Sequence, residues 1–341
     1  MIDTRIVVGE ATDVAEVRRL ASREAEGLGF SAADVARVAL VATEAAGNLQ
    51  RHAQGGQVLI RPSAAAGVPG IEILALDTGP GIADVGQALR DGYSTAVGSL
   101  GSGLGSIRRH ADAFELVSSP EAGTALLARI DSKDAADAGP SPAILRVGAV
   151  SVAQPGESVC GDAWAMRTTE RGGVVLIADG LGHGPEAGRA AQAAVTAFEG
   201  WTGQDLTGLM KIIHDKLHGT RGAAVAVADI DVVERKVRFV GAGNAAARIE
   251  TPEGPYHALV SVQGTAGLAI RHVREFTYEW PSPQALLVLH TDGLSAHWTL
   301  SRYPGAFARD PSLVAGLLYR DCWRGRDDGT VVVVKQGQET P

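Results

Sequence analysis

The chain has 341 residues, a formal net charge of -8, 45% apolar and 21% charged residues. That profile suits a soluble globular protein long enough for two or three domains. No basic tract suits a nucleic-acid backbone, and no apolar run is long enough to span a membrane. Two cysteines, Cys160 and Cys322, exclude a disulfide scaffold and fit the cytoplasm. The start, MIDTRIVVGE, has an acid at position 3 and lacks the apolar stretch of a signal peptide.

In chain order, Thr4–Val8 reads as a strand and Asp13–Leu28 as a helix. Asp13 is its expected cap, and Val14, Val17, Leu20, Ala21 and Ala25 share one face. A longer helix is predicted over Ser31–His52, capped by Ser31 with Asp34 at its third position. Strands are predicted at Gln57–Pro62, Ile71–Asp77, Phe114–Ser118 and Ala125–Ile130, with a short helix at Ser102–Ala111. Together they suggest a two-layer α/β sandwich. The stretch DSKDAADAGPSP, Asp131–Pro142, is small, polar and proline-containing and reads as a seam.

Beyond the seam, strands are predicted at Leu145–Val152, Asp162–Thr168, Gly173–Ala178, Ala223–Asp229, Val237–Gly241, Ala245–Ile249, Arg274–Trp280, Ala285–His290 and Thr330–Lys335. Helices are predicted at Pro185–Phe198, Leu206–Leu217 and Ser312–Tyr319. Two packed sheets flanked by helices accommodate this order.

The front half has no G-x-x-x-x-G-K-[ST] loop, yet three other elements suit a nucleotide. Glu44-Ala-Ala-Gly-Asn48 lies within the long helix, and its i,i+4 spacing puts both polar groups on one face. An amide oxygen there can hold a Mg²⁺ that bridges phosphates, and the glutamate can deprotonate a nucleophile. Asp77-Thr-Gly-Pro-Gly81 follows a strand, where the acid can accept from the adenine amine and Gly79 and Gly81 admit the base closely. Gly101-Ser-Gly-Leu-Gly105 opens a helix whose free N–H groups suit a triphosphate. Gly123-Thr124 precedes the last strand and closes the set.

With these boxes, EAAGN, DTGPGI, GSGLG and GT, the front domain resembles the GHKL ATPase family over nearly its whole length. It looks most like small bacterial serine/threonine kinases acting as anti-sigma factors or stressosome switch kinases. Arg90–Thr95 is similar to their ATP lid. The resemblance implies Asn48 as Mg²⁺ ligand, Glu44 as base, Asp77 as adenine anchor, and Gly101, Gly103 and Gly105 as phosphate-binding. It also implies ATP as cofactor and a serine or threonine of a STAS-type antagonist protein as substrate. A sensor histidine kinase would need a helix pair bearing a phosphoaccepting histidine, for which the sequence leaves no room. His52 reads as a surface or lid-contacting residue.

In the rear half, Asp162 (GDAW), Asp179 (IADGLGHG), Asp292 (LHTDGLS) and Asp327 (RDDGTVVVV) end or flank apolar runs. Four ionised carboxylates cannot converge without a cation. Gly180 has no side chain to keep its own carbonyl from a metal. Such hard oxygen ligands suit Mn²⁺ or Mg²⁺ rather than zinc, and two such ions can activate a water for attack on phosphorus. Cys160 is then not required as a nucleophile and reads as a small buried strand residue.

The blocks GDAW, ADGLGHGPEA, HTDGL and DDGTVVVV resemble the compact bacterial branch of the metal-dependent protein serine/threonine phosphatases, across Leu145 to Lys335. The branch includes the sporulation and stressosome feedback phosphatases. This implies a four-layer α-β-β-α fold, with Asp162, Asp179, Gly180 (by its carbonyl), Asp292 and Asp327 around the metals and Asp328 behind them. The phosphate-gripping arginine of larger relatives is missing. Arg146 reads better as a strand-edge residue, His183 as shaping the loop above the metals, and Arg221 as a residue that could face substrate.

The expected layout is a kinase-like domain at 1–130, a linker at 131–144 and a phosphatase-like domain at 145–336. Expected is a bifunctional regulator that phosphorylates and dephosphorylates STAS proteins, with a sigma factor or another regulator downstream. Two alternatives stand beside it: a phosphatase whose front domain is a nucleotide-responsive partner-binding module without transfer, or a scaffold with decayed sites.

Overall fold

In the computed structural model, residues 2–53, 55–63, 67–89, 103–120, 122–134, 143–203 and 205–337 are described. Backbone contacts divide the chain into two units, one of Asp3–Pro142 and one built from Ala143–Pro341.

The front unit contains β1 (Thr4–Val8), α1 (Ala11–Gly27), α2 (Ala32–His52), β2 (Gly56–Ser63), β3 (Gly70–Leu76), α3 (Val85–Ala88), α4 (Gly103–His110), β4 (Ala113–Ser119) and β5 (Gly123–Asp131). Its antiparallel sheet runs β1-β2-β3-β5-β4. Val17, Ala21 and Ala25 of α1 and Val38, Val41 and Ala45 of α2 pack on Val58, Ile60, Ile71 and Ile73 of the sheet. This is the expected sandwich. Ser31 caps α2 as the sequence suggests, its Oγ accepting from the Asp34 N–H at 3.2 Å.

Asp13 requires a correction. The cap of α1 is Glu10, and Asp13 is the third helical residue, reaching back to accept from the Gly9 and Glu10 N–H groups at 2.8 Å each. An acid at that position of a capping box marks a helix that begins one turn earlier than an acid at the cap itself would.

On the other sheet face, Glu72 is 2% exposed and bonded by two arginines. It accepts from Arg61 and, at 2.6 Å, from Arg129 Nη2. Removing its charge leaves two buried guanidinium groups with less compensation, the Asp3 carboxylate staying 3.7 Å from Arg61 Nη1. Glu72→Gln therefore destabilises the front unit by about 3–5 kcal/mol, read from its urea-unfolding transition in the full chain.

The rear unit comprises β6 (Leu145–Val152), β7 (Asp162–Thr169), β8 (Gly172–Gly180), α5 (Gly184–Glu199), α6 (Leu206–Lys216), β9 (Ala223–Asp231), β10 (Lys236–Ala242), β11 (Ala246–Glu250), β12 (His257–Leu259), β13 (Gly264–Thr265), β14 (Ala269–Ile270), β15 (Phe276–Glu279), β16 (Leu286–His290), α7 (Pro311–Cys322) and β17 (Gly329–Gln336). One sheet runs β15-β10-β9-β8-β7 and the other β12-β11-β16-β17-β6. Their facing sides interleave Val175, Ile177, Ala226 and Phe239 with Leu287, Leu289, Val332 and Val334. Alanines of α5 let it lie close on the first sheet, with Ala191, Ala194 and Phe198 against Leu176, Ala178 and Val225. Helix α7 packs on β6 and β17. The layers are therefore α-β-β-α. The short pieces α3 and β12 to β14 carry too few residues for a periodic signal.

Candidate functional site

In the rear unit, the antiparallel β7–β8 hairpin sets Asp162 directly opposite Asp179. The second sheet delivers its acids to loops at one end of another strand pair. Asp292 follows β16, and Asp327 and Asp328 precede β17, with His290 paired to Val331. Hydrogen bonds stitch the sheets together here: Thr291 Oγ1 donates to Asp162 Oδ2 at 2.7 Å. Asp179 accepts from the backbone of Asp292.

Burial, then the charge of Asp179, holds the Asp162 carboxyl well above the usual carboxylate range. Burial, then the charges of Asp292 and Asp327, pushes Asp179 up to about 7. Asp162 and Asp179 would therefore resist ionising without a nearby cation.

Asn244 Nδ2 donates to Asp292 Oδ2 at 2.6 Å. Asp327 Oδ1 accepts from the Asp328 N–H at 2.9 Å, and Asp328 Oδ1 from the Gln154 N–H at 2.9 Å. Asp328 is buried against Gly161, where a Cβ would lie 2.5 Å from its Oδ2. Gly180 is required by its surroundings, because a Cβ there would lie 2.1 Å from the Ala187 carbonyl oxygen of α5.

No group of three or more His, Cys, Asp or Glu side chains among the described residues is drawn tightly enough to hold a metal ion. The donor set nevertheless fits divalent cations. It is all oxygen, and at Asp162 and Asp179 burial and then neighbouring carboxylate charge disfavour the ionised form that a cation would restore. Such a site binds through one or two carboxylates each and completes the shell with water.

Around this site, Cys160 is 2% exposed, its Sγ donating to the Val152 carbonyl at 3.4 Å. Burial raises its thiol pKa further, so it is no thiolate. Arg146 pairs with Asp310, the cap of α7. His183 sits just before α5, its Nδ1 2.7 Å from Glu157 Oε1. Arg221 is exposed beside the Gly182 turn.

In the front unit, Glu44 and Asn48 face the start of α4. A Cβ on Gly103 would lie 3.1 Å from Asn48 Oδ1 and 3.2 Å from Glu44 Oε2. Asn48 Nδ2 is buried with no hydrogen-bond partner among the described residues. Gly105 is buried in α4. Asp77 Oδ1 accepts from the Gly79 N–H at 2.8 Å and the Thr124 N–H at 3.1 Å. Gly81 has φ +71°, and a Cβ there would lie 2.0 Å from the Ser119 carbonyl oxygen. Gly101, Arg90–Thr95 and most of the seam lie outside the described residues. His52 is exposed at the end of α2.

Three participants escape a reading of motifs. Arg51 folds back over Gly47 to place Nη2 3.8 Å from Glu44 Oε2. Thr291 is signalled only by its place before Asp292, and Asn244 by nothing beyond a GAGN turn.

Residues 7–130 match the histidine kinase-like ATPase domain, and residues 169–335 match Stage II sporulation protein E. Over 116 residues the chain is 39% identical to serine/threonine-protein kinase RsbT of Bacillus subtilis, spanning 34% of this chain and 86% of RsbT. The chain belongs to the histidine kinase-like ATPase family. To this ATPase domain it joins a phosphatase domain, 25% identical over 142 residues to phosphoserine phosphatase RsbX of Bacillus subtilis. That match spans 41% of this chain and 70% of RsbX. A solved chain from work on the bacterial stressosome, a modular system adapted to control secondary messenger signaling, is 26% identical. It covers 56% of this chain and 99% of its own length, with a TM-score of 0.52. This member of the ATPase family thus pairs a serine/threonine kinase-like domain with a serine/threonine phosphatase domain. No helix among the described residues is long and apolar enough to cross a membrane.

Proposed function

We propose that the chain is a cytoplasmic, bifunctional regulator of partner switching. Its front domain phosphorylates a serine or threonine on a STAS-type antagonist protein, and its rear domain removes phosphate from such a protein. A sigma factor or another regulator lies downstream. The domains correspond to 1–130 and 145–336, joined by 131–144. The observation that carries this reading is the pairing, on one chain, of two distinct sites. One has Glu44 and Asn48 meeting the glycine-led α4; the other has Asp162 registered on Asp179.

In the transfer step, Glu44 takes the proton of the substrate hydroxyl. The hydroxyl oxygen forms the new bond to phosphorus, and the bond to the bridging oxygen of ADP breaks. Asn48 Oδ1 holds the Mg²⁺ that accompanies ATP. Asp77, Thr124, Gly79 and Gly81 would receive the adenine end, while Gly101, Gly103 and Gly105 would offer N–H groups to the phosphates. Gly103→Val, which fills the space facing Asn48 and Glu44, lowers ATP affinity at least about tenfold; nucleotide titration reads the change.

In the rear domain, Asp162, Asp179, Asp292 and Asp327 with the Gly180 carbonyl hold Mn²⁺ or Mg²⁺. When bound, the ions supply an activated water and offset charge on the phosphoryl oxygens. Thr291 and Asn244 fix the orientation of Asp162 and Asp292 by direct hydrogen bonds.

The approach of Arg51 to Glu44 favours one second reading, a nucleotide-responsive partner-binding module without transfer, because the arginine competes with a substrate hydroxyl for the carboxylate. Incubating the full chain with ATP, Mg²⁺ and STAS proteins encoded near its gene separates the two. The bifunctional reading expects phosphate on the STAS protein and its Mn²⁺-dependent release. Nucleotide-dependent binding with no transfer would leave the module.

A further inference from the structure

We infer that Arg221 grips the phosphoryl group of the phosphatase substrate, replacing the arginine whose expected position is empty in this sequence. The inference rests on the phosphatase reading. Strand register places Arg221 at the acidic end of the first sheet. Asp179 pairs with Ala224 and Gly180 with Ala223, so Arg221 stands just ahead of the strand that flanks Asp179.

Its backbone is pinned at that spot. The Leu181 N–H donates to the Gly222 carbonyl at 3.0 Å, and the Gly222 N–H donates to Thr220 Oγ1 at 3.0 Å. Its guanidinium lies across the turn that follows Asp179: a Cβ on Gly182 would sit 2.8 Å from Arg221 Nη1. Gly182 (φ +88°) therefore also makes room for the side chain.

Of the other arginines, Arg189 pairs with Glu186, and Arg324 and Arg326 stand exposed on the second-sheet loop before Asp327. Among the described residues no carboxylate pairs with Arg221, and it is exposed. An exposed guanidinium on a pinned backbone, at the end of the sheet that carries the acids, suits a dianionic group, which it can clasp through two parallel N–H donors. Exposed Leu181 and Leu268 flank it, the latter 3.1 Å from a Cβ placed on Gly222. They offer an apolar shelf to residues beside the phosphoserine of a protein substrate.

In the hydrolysis this serves, water oxygen forms a bond to phosphorus and the seryl oxygen–phosphorus bond breaks. The proton from water ends on the seryl oxygen, and phosphate departs. Arg221 bonds to phosphoryl oxygens that persist from substrate to product, so it acts on substrate binding and on product inhibition alike.

The test uses the full chain with Mn²⁺, p-nitrophenyl phosphate and a phosphoserine peptide as substrates, and inorganic phosphate as inhibitor. Arg221→Ala is expected to raise KM for both substrates and Ki for phosphate by roughly ten- to a hundredfold. Arg221→Lys recovers part of the loss. Half-saturation by Mn²⁺ and the unfolding temperature stay at wild-type values. Arg171→Ala, which removes a guanidinium at the opposite end of β8, leaves KM and Ki unchanged. Unaltered KM and Ki in an active Arg221→Ala protein overturn the assignment. Parallel loss of Mn²⁺ affinity or folding overturns it too, because Arg221 would then be structural. A wild-type chain inactive on both substrates rejects the phosphatase reading and the assignment with it.

Discussion

Asp179→Asn removes metal-dependent phosphate release, by roughly 10³-fold or more in kcat/KM. Asp179 ends β8 opposite Asp162, within the fields of Asp292 and Asp327. It faces Asp162 across the hairpin and feels the charges of Asp292 and Asp327, so it would be central to any cation site these acids form. Asparagine keeps its shape and removes the charge that attracts a cation. The variant is expected to fold without metal at least as well as wild type, because one source of repulsion is gone.

Metal-dependent stability checks the cause. Saturating Mn²⁺ at a hundred times its Kd stabilises the wild-type chain by about 2.7 kcal/mol. Asp179→Asn loses most of that increment. Thermal unfolding with and without chelator reads both numbers, and a phosphoserine peptide assay reads the rate. Retained turnover, or equal stabilisation of both proteins by Mn²⁺, contradicts the assignment.

Glu44→Ala and Asn48→Ala both abolish phosphoryl transfer, by different routes. Loss of a general base costs roughly 10²–10⁴-fold in rate, so Glu44→Ala retains ATP binding and partner binding while transfer falls to background. Asn48→Ala loses the Mg²⁺-dependent part of nucleotide affinity. Its stability is informative, because Asn48 Nδ2 is buried without a partner among the described residues. An unmet buried donor costs about 1–3 kcal/mol, and alanine removes that cost. The variant is therefore no less stable than wild type, and its inactivity is not unfolding. Nucleotide titration with and without Mg²⁺ and urea unfolding provide the check. Undiminished transfer by Glu44→Ala rules out its role as base.

Much of this was legible in local sequence. Ser31 and Asp34 marked the start of α2, and the unbroken apolar run of β8 and the glycine turn before β7 placed Asp179 and Asp162 at strand ends. Glu44 and Asn48 were readable as one helix face because their spacing is fixed by helix geometry. Asp13 was misplaced because an acid at the cap and an acid three residues on leave similar traces in sequence.

What remained hidden depends on pairing between distant segments. Thr291 reaches Asp162 across 129 positions, and Asn244 reaches Asp292 across 48. Neither spacing is periodic, so no local rule exposes it. Arg51 meets Glu44 only because Gly47 leaves the helix surface bare between them. The buried Glu72 pair with Arg61 and Arg129 likewise needed the order β2-β3-β5 before its members could be seen as neighbours.

The most direct test of bifunctionality follows phosphate occupancy on a single STAS protein in one reaction with ATP, Mg²⁺, Mn²⁺ and the full chain. Wild type is predicted to settle at intermediate occupancy, Asp179→Asn to drive it to completion, and Glu44→Ala to leave the protein unphosphorylated. Identical occupancy for all three proteins would contradict the coupling of opposed activities on this chain.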